Sequence, residues 1–590
     1  MAIHLVTDGG KHYWIEPEAT NHPQLTDDSI LKKEFRKKEF GGPKNFDVIR
    51  NDNFFNAVLD SAGRFGIIYS VVLKAVSQYS LYERRRLHIW QDIKHQIKNR
   101  NSSLFKDIAI PPNPVFYPHT AVVGEQRFPQ ISICLTPHKN FQRNLVGVTK
   151  RWELELPTTD PQGRKERVGH IVEPYNERIQ GPLFSKAGVN HEYRSDPDNP
   201  RTAGNPTLLS RACADSSFLK GLLSETIKDI EEFVDSNGTV IAPGIAAIAA
   251  AGGSGLLALI PPFLLILVIL RELLEHFNDD TRLGEQMEKI KNVLLAPENP
   301  NPLLRAAGLF AWQLFACKIF QLMQGDLDFE AISYAVMDQK DYLNKCEVNV
   351  DSVEVFFDAV DERLIAFIDA LIAYETMQEF QGKAFVGYAS LRFTGQARAL
   401  IGMQKFDTTC SVEIACLKDV SGSQDLINYA VSLARNPNIN GLLHWGQRND
   451  WTMAEVERIY GDSALNPGGN LGLWRQALSY ITQNGRLDGF SSKFTRHTGL
   501  EVVVPTIKNF RIDKSIAQKD ETVEIRWDCS NNPPKTRIQI ITVTPAGETI
   551  ETSQPSLFSK YMLNLTESGI YTISLIAIKK TNGVVRQSSP

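Results

Sequence analysis

Two polar side chains are the first candidates for chemistry in this sequence. His444 lies in the segment NINGLLHWGQRNDW, directly before Trp445 and Gly446. An imidazole group there could polarise a substrate hydroxyl group or accept its proton. Arg392 lies in the alternating segment FVGYASLRFT, where an inward-facing guanidinium group needs a partner. The alternatives are a hydrogen-bonded structural histidine and a salt-bridged strand arginine.

A glycine-rich turn is the third candidate. In NDNFFNAVLDSAGRFGIIYSVVLKAV (51–76) the helical spacing of apolar residues is broken at Gly63 and Gly66, and a β-rich run begins at Ile67. Glycine allows positive φ and lets the backbone approach a ligand closely. The segment predicts a helix, a turn and a buried strand. The two glycines would either lie against a bound ligand or simply form a tight turn.

The elements around these candidates predict an α+β fold. Residues 1–16 predict a hairpin around Asp8-Gly9-Gly10, and residues 81–100 a charged helix. Strands are expected at 385–394 and 409–418. Residues 505–590 contain short alternating strands separated by Pro, Gly, Asn and Ser, which is typical of an immunoglobulin-like β-sandwich.

Composition indicates an ordinary globular protein of several domains. The chain has 590 residues, 42% of them hydrophobic and 22% charged, which is too long for one core. A formal net charge of −4 offers no basic surface, so nucleic-acid binding is not expected. Seven scattered cysteines without a CxxC pair predict neither a disulfide framework nor a metal site. No apolar leader is recognisable, so a cytoplasmic location is expected.

One long uncharged segment covers residues 239–270, TVIAPGIAAIAAAGGSGLLALIPPFLLILVIL. Its length suffices to cross a bilayer, but Pro243, Pro261, Pro262 and several glycines interrupt it. We expect two short apolar arms that reverse or kink at the proline pair. Three roles stay open: a buried hairpin or oligomer contact, a membrane-inserting element, and a hydrophobic lid over an apolar substrate.

The order of these motifs resembles the vanillyl-alcohol-oxidase-type FAD-linked oxidoreductases, nearest the sugar-lactone (aldonolactone) and alditol oxidases. The helix, glycine turn and strand of residues 51–76 are similar to the closing segment of that family's flavin-binding domain. His444-Trp445-Gly446 match an HWG(K) motif, with Gln447 where lysine is usual. The strand with Arg392 is similar to one with an E-x-R pattern, in which Ser390 replaces the glutamate.

The resemblance implies a flavoprotein oxidase that uses FAD and acts on an alcohol or lactone CH–OH group by hydride transfer to flavin N5. His444 and Arg392 would be catalytic. Substrate contacts would come from Trp445, Gln447 and Ser390. The implied cofactor-binding residues are Gly63, Phe65, Gly66 and Ile67.

The resemblance also implies a domain order. Residues 1–80 would form the second half of an FAD-binding (PCMH-like) domain, and 81–504 an α+β substrate or cap domain with an apolar insertion at 239–270. Residues 505–590 would be the β-sandwich. The family's phosphate-binding lobe is expected to be missing, so the chain would be a start-site truncation, a degenerate relative, or one subunit of a split enzyme that binds FAD only together with a second subunit that carries the lobe. The alternative is a non-catalytic structural or membrane-interacting protein on a degenerate oxidase scaffold, which would be membrane-associated through 239–270.

Overall fold

The chain is a mixed α and β protein with several sheets, in agreement with the predicted α+β class in outline. A computed structural model describes residues 1–18, 25–35, 42–76, 79–107, 122–137, 143–154, 217–238, 260–275, 283–324, 327–332, 349–461, 469–483, 485, 487–501, 506–530, 536–555, 560–581 and 584–588.

Two compact units share the chain. The first contains Met1–Ala75, Ala397–Gly402 and Asp450–Pro590, and the second contains Val76–Gln396 and Met403–Asn449. Residues 450–504, which the sequence-based division groups with the substrate domain, therefore fall in the first unit. The domain boundaries at 80 and 504 stay predictions.

A four-stranded sheet with the order β3-β2-β1-β4 begins the first unit. Its strands are β1 (Ala2–Val6), β2 (His12–Glu16), β3 (Phe46–Arg50) and β4 (Ile67–Val72). Strands β1 and β2 pair antiparallel with Ile3 opposite Ile15, which confirms the hairpin predicted over residues 1–16. Helix α1 (Asp28–Phe35) packs Leu31 into the cluster that contains Trp14, and α2 (Asp52–Leu59) precedes the glycine turn.

Helix α2 is followed by strand β4, as residues 51–76 predict. The expected burial of this strand is wrong, because all six residues of β4 are exposed. The sequence shows the apolar run but not what lies beside it, and β4 is an edge strand of its sheet.

The first unit continues with short helices and a β-rich region. The helices are α10 (Met453–Tyr460), α11 (Asn470–Ile481) and α12 (Lys493–His497), numbered after those of the second unit. The later strands are β14 (Thr506–Ile512), β15 (Thr522–Ser530), β16 (Thr536–Val543), β17 (Thr549–Pro555), β18 (Lys560–Asn564), β19 (Thr572–Thr581) and β20 (Val584–Ser588). They form antiparallel sheets in the orders β14-β15-β18 and β17-β16-β19-β20. Both sheets contribute to one core that includes Ile525, Trp527 and Ile540.

The second unit is built on a nine-stranded antiparallel sheet. Its strands are β5 (Ser80–Ile89), β6 (Val122–Gln126), β7 (Gln130–Ile133), β8 (Leu145–Leu154), β9 (Leu327–Ile332), β10 (Val350–Asp358), β11 (Gly387–Gly395), β12 (Thr408–Leu417) and β13 (Leu442–Leu443). The order is β13-β10-β12-β11-β7-β8-β5-β9, with β6 beside β8. Strands β11 and β12 confirm those predicted at 385–394 and 409–418.

The helix predicted over residues 81–100 is wrong for its first half. Residues 80–89 form β5, and only Trp90–Ile97 is helical (α3). The charges that suggested a solvated helix are paired within and across strands, since buried Glu83 accepts from Arg85 of its own strand at 3.0 Å and from Arg151 of β8 at 2.7 Å.

The remaining helices of the second unit form two groups. One group contains α4 (Ser217–Gly238), α5 (Ile260–Glu275), α6 (Leu283–Leu295) and α7 (Pro302–Gln324). These four share an apolar core around Trp312. The other contains α8 (Glu362–Phe380) and α9 (Ser423–Arg435).

The apolar segment 239–270 is described only from Ile260 onwards, as the first part of α5. Residues 239–259, which hold the first predicted arm, lie outside the described residues. Leu267 is buried in the shared core, whereas Leu265 is 47% exposed. Within the described residues one helical segment, Pro302–Gln321 of α7, is long and apolar enough to cross a bilayer, and 56% of it is buried within the protein.

Candidate functional site

A row of polar side chains crosses the nine-stranded sheet on one face. Backbone pairing places Glu354 of β10 opposite Glu413 of β12, and Glu413 opposite Ser390 of β11. His444 follows β13, and its N–H donates to the carbonyl oxygen of Glu354 at 3.0 Å. Because directly paired residues project to the same side of a sheet, these four side chains share one face.

The helices α8 and α9 cover the other face. Val353, Val355 and Phe357 alternate with Glu354 along β10 and are buried. The Phe357 ring lies 5.1 Å from that of Phe367 in α8. The alternation of valine with glutamate along β10 therefore separates an apolar face under helices from a polar face that carries the row.

The polar face is partly covered by α7 at β8. The row continues from Ser390 to Ser132 of β7 and Gly147 of β8. A Cβ atom at Gly147 would lie 2.7 Å from the Cβ atom of Gln324 in α7, so glycine is required for this close packing.

Arg392 flanks one end of the carboxylate pair. It lies two residues after Ser390, hence on the same face, and its guanidinium group forms an ion pair with Glu413. The Arg392 side chain is 47% exposed, whereas that of Glu413 is 16% exposed. The pair therefore has a buried acid and a cation that reaches towards solvent.

The carboxyl group of Glu413 has a raised pKa. Burial is the main cause, and the neighbouring Glu354 carboxylate adds to it, while Arg392 and His444 act in the opposite direction. A carboxyl group of this kind retains its proton to a higher pH than an ordinary glutamate, which suits proton exchange with a substrate.

His444 flanks the other end of the row. Its Nδ1 accepts a hydrogen bond from the N–H of Gly446 at 2.9 Å, so in the neutral ring the proton is assigned to Nε2. Nε2 lies 3.9 Å from the Glu354 carboxylate. The imidazole is thus oriented with its N–H towards the acidic pair.

The segment after His444 is folded by one amide. Asn449 donates through Nδ2 to the carbonyl oxygens of His444, Trp445 and Gln447 at 3.0, 3.2 and 3.3 Å. The side-chain carbonyl oxygen of Gln447 is buried and has no hydrogen-bond donor in the part of the chain that is described. Ser390, at the centre of the row, is buried and accepts from Gln130 at 3.2 Å.

The glycine turn lies in the first unit, and packing accounts for two of its four predicted cofactor residues. Phe65 is buried, with its ring 5.0 Å from that of Trp474. A Cβ atom on Gly66 would lie 2.3 Å from the carbonyl oxygen of Val6. Gly63, in contrast, has φ +72° and no heavy atom within 4 Å of its Cβ position, and Ile67 is exposed.

The turn is held firmly from both sides. The buried Arg64 forms an ion pair with Glu501 at 2.6 Å, and Trp474 donates to the carbonyl oxygen of Asp60 at 2.9 Å. Burial raises the pKa of Asp60 to about 6. Ala62 has φ +47°, a conformation that stores backbone strain in residues other than glycine.

Two members of the row, Glu354 and Glu413, are missed by the sequence motifs. Both occur in the same local pattern, SVEV in β10 and SVEI in β12, where a single acid separates two β-branched residues. That pattern was the available signal. The described residues hold no cluster of three or more His, Cys, Asp or Glu side chains that could bind a metal ion.

No protein-family model matches the chain, and no curated protein sequence matches it either. The case for a function therefore depends on the residues themselves.

Proposed function

We propose that this chain is a component of an FAD-dependent oxidoreductase, an oxidase of the vanillyl-alcohol-oxidase type that acts on an alcohol or lactone CH–OH group. The observation that carries the proposal is the row His444–Glu354–Glu413, with Arg392 bound to Glu413 on the same face. Ser390 stands where the resembled family has a glutamate, and Glu413 offers a carboxylate directly across from it.

The chain's own residues would handle the substrate oxygen and its proton. Arg392 is exposed enough to bind that oxygen, and Glu413 would receive the hydroxyl proton when ionised. His444 would orient the hydroxyl group through its Nε2–H, and Trp445 and Gln447 would contact the substrate. When bound, FAD would supply the redox chemistry by taking up the hydride from the neighbouring C–H bond.

The glycine turn fits a flavin in part. Gly63 presents backbone without a side chain and without close neighbours, which permits near approach of a planar ring, and Ile67 offers an exposed apolar side chain. Phe65 and Gly66 are already explained by packing against Trp474 and Val6. Gly63, Phe65, Gly66 and Ile67 are together the proposed cofactor contacts of the PCMH-like lobe, and Gly63 and Ile67 are the two that are open to a ligand.

Tight FAD binding would need a second subunit. A pyrophosphate group requires several aligned backbone N–H donors, usually at a glycine-rich loop that opens a helix. The resemblance attributes that loop to the family's first lobe, and we propose that a second subunit carries it.

The C-terminal strands are proposed to be an immunoglobulin-like domain that docks to a partner. Antiparallel sheets of three and four strands with a shared core support this assignment. Residues 506–588 contribute no described group of metal-ligating or strongly perturbed titratable side chains, which favours docking over chemistry.

A second candidate function is a non-catalytic, membrane-interacting role on an oxidase scaffold. The observation in its favour is the outer face of α5, where Leu264, Leu265 and Val268 are about half exposed. Contiguous apolar surface of this kind is a feature of lipid-binding and protein-binding sites. In this case the protein would be cytoplasmic and membrane-associated.

Flavin reduction in the purified complex tests the proposed function. The complex would be mixed without oxygen with a panel of alditols and aldonolactones, and the visible flavin absorbance followed. We expect at least one substrate to bleach the flavin, about 10²-fold to 10⁴-fold more slowly in Glu413→Gln. The exposed Glu551→Gln is the matched control and should behave as wild type. Equal rates in both variants would remove Glu413 from the mechanism, and a flavin that no substrate reduces would contradict the oxidase assignment.

A further inference from the structure

Strand β4 exposes apolar side chains along its whole length. The exposed fractions of Ile67, Tyr69 and Val71 are 58%, 64% and 50%, and Ile68, Val72 and the following Leu73 are exposed as well. Within the described residues β4 pairs only with β1, so its outer backbone edge has no partner strand.

The exposure affects both faces of the strand. Ile68 and Val71 lie opposite Leu5 and Ile3 of β1, whereas Val72 lies opposite Ala2 on the other face. The β1 residues on both faces are buried. The cover that protects β1 therefore stops at β4.

Helices supply that cover on each side of the sheet. On the face of Ala2, Leu31 of α1 packs into the core beside Trp14. On the opposite face, the Tyr13 ring lies 6.4 Å from that of Tyr480 in α11. Among the described residues, the four-stranded sheet is thus covered by helices on both faces except along the edge strand β4.

The sequence of β4 is typical of an interior strand. Residues 67–73, IIYSVVL, contain neither a charge nor a proline. Continuous apolar runs occur in strands that helices cover on both faces, whereas natural edge strands usually carry charges, prolines or bulges. The one protective feature is a register shift between His4 and Leu5 of β1. The apolar patch is on the order of several hundred Å², at the upper end of what monomeric proteins expose.

We infer that β4 is the docking edge for an α/β protein module outside these 590 residues, which adds a strand to β4 and covers both its faces with helices. A second copy of this chain could pair its own β4 with the backbone edge of β4. It would bring no helices to cover the two strands, so both faces would stay exposed. A lipid surface could cover one face but could not pair the backbone N–H and C=O groups of the edge.

The docking edge rests on the proposed function in one respect only, namely that the docked module would be the second subunit that carries the phosphate-binding lobe. The exposure of β4 stands without any flavin. The test of β4 therefore does not depend on flavin.

Site-specific photocross-linking tests the inference in the cells that make the protein. p-Benzoylphenylalanine would replace Ile68 on one face, Val72 on the other, and the fully exposed Ile516 as a control. We expect both β4 positions to cross-link to the same second protein, with no such product from position 516. Cross-links only to another copy of the chain, to lipid, within the chain, or to nothing would overturn the inference.

Binding of the purified partner provides the quantitative arm. Amide hydrogens of residues 67–73 should become protected from exchange in a one-to-one complex. Ile68→Lys and Val71→Lys should each weaken binding at least about 30-fold, whereas Ile550→Lys, an equally exposed apolar residue elsewhere, should not. Unchanged thermal unfolding would show that the variants are folded. A tight complex that leaves β4 unprotected contradicts the inference, and a protected complex without flavin contradicts only the FAD assignment.

Discussion

Glu354 and Glu413 lie side by side on one sheet face, where two carboxylates repel each other unless cations or protons compensate. Here Arg392 compensates Glu413, and the imidazole of His444 lies beside Glu354. The carboxyl group of Glu413, which can hold a proton, therefore has the carboxylate of Glu354 and the guanidinium group of Arg392 as neighbours. Carboxyl groups whose pKa is shifted by burial and by a specific charged partner are common at functional sites.

The charge neighbours of Glu413 give opposite predictions for its pKa. Glu354→Gln removes a negative charge and should lower the pKa of Glu413, whereas Arg392→Met removes a positive charge and should raise it further. Carbon-13 NMR titration of labelled glutamate carboxyl groups measures both shifts. The Glu551→Gln variant should leave the Glu413 titration unchanged. Shifts of the same sign in the first two variants would show that the row is not electrostatically coupled.

A second buried acid pair predicts how stability depends on pH. Glu375 and Glu379 of α8 are fully buried, and burial raises the pKa of Glu379 to about 7 and that of Glu375 well above its ordinary value. At pH values between the pKa of such a group in the unfolded chain and its higher pKa in the folded protein, the folded protein binds more protons than the unfolded chain. The free energy of unfolding should therefore fall as pH rises from about 4.5 to about 7 and beyond.

Replacing Glu379 tests this dependence. Glu379→Gln keeps the shape and can accept the hydrogen bond from Gln313, so urea unfolding at pH 8 should show a variant more stable than wild type by on the order of 1–3 kcal/mol. At pH 5 the two proteins should be nearly equal. Glu362→Gln, an exposed position on the same helix, is the control and should have little effect. A wild-type stability that rises between pH 5 and pH 8 would refute the assignment.

At the scale of elements, α5 has two apolar faces with different environments. Leu267 is 3% exposed in the helical core, and Leu265 is 47% exposed. Leu267→Asp should lower the free energy of unfolding by more than about 3 kcal/mol, because it buries an unpaired charge. Leu265→Asp should leave stability nearly unchanged.

Vesicle flotation separates the roles of the outer α5 face. If Leu265→Asp is folded and no longer binds anionic vesicles that wild type binds, α5 contacts lipid. If neither protein binds vesicles, the membrane role of α5 fails. Global unfolding of Leu265→Asp would show that the outer face is part of the core after all.

The two glycines of the turn should respond differently to alanine. Gly66→Ala would place Cβ 2.3 Å from the Val6 carbonyl oxygen at φ +142°, so loss of several kcal/mol of stability or failure to fold is expected. Gly63→Ala has open space and should cost only about 1 kcal/mol for its positive φ. Thermal unfolding compares them. Equal destabilisation would mean that the close approach at Gly66 does not constrain the turn.

Local sequence patterns predict several elements well but cannot supply their neighbours. The hairpin over 1–16, β11, β12 and the C-terminal strands follow from alternation and turn residues. The helix prediction is wrong for residues 80–89 because their charges pair within and across strands. The exposure of β4 cannot be read from its own sequence, because it results from the position of β4 at the edge of its sheet. Glu354, Ser390, Glu413 and His444 meet only through strand pairing over some ninety positions, which no local pattern encodes.

At the scale of the whole molecule, the glycine turn belongs to one unit and the polar row to the other. Within the described residues, the first unit has an open backbone position at Gly63 and a strand, β4, whose outer edge has no partner strand. The second unit has the carboxyl group of Glu413, whose pKa is raised. The proposed function, in which the chain binds its cofactor only with a partner, would account for both sets of features. The apolar face of α5 and the C-terminal strands are the other surfaces that we propose for assembly.

Flavin content decides whether the chain is part of an FAD-dependent oxidoreductase. The chain would be purified alone and after co-expression with the adjacent upstream reading frame, and the visible absorbance spectrum and FAD-to-protein ratio recorded. We predict a nearly colourless chain alone and a yellow complex with about one FAD per chain, because the pyrophosphate site would come from the partner. Protein that is colourless in both preparations, with its fold intact by circular dichroism, would contradict the assignment to an FAD-dependent oxidoreductase.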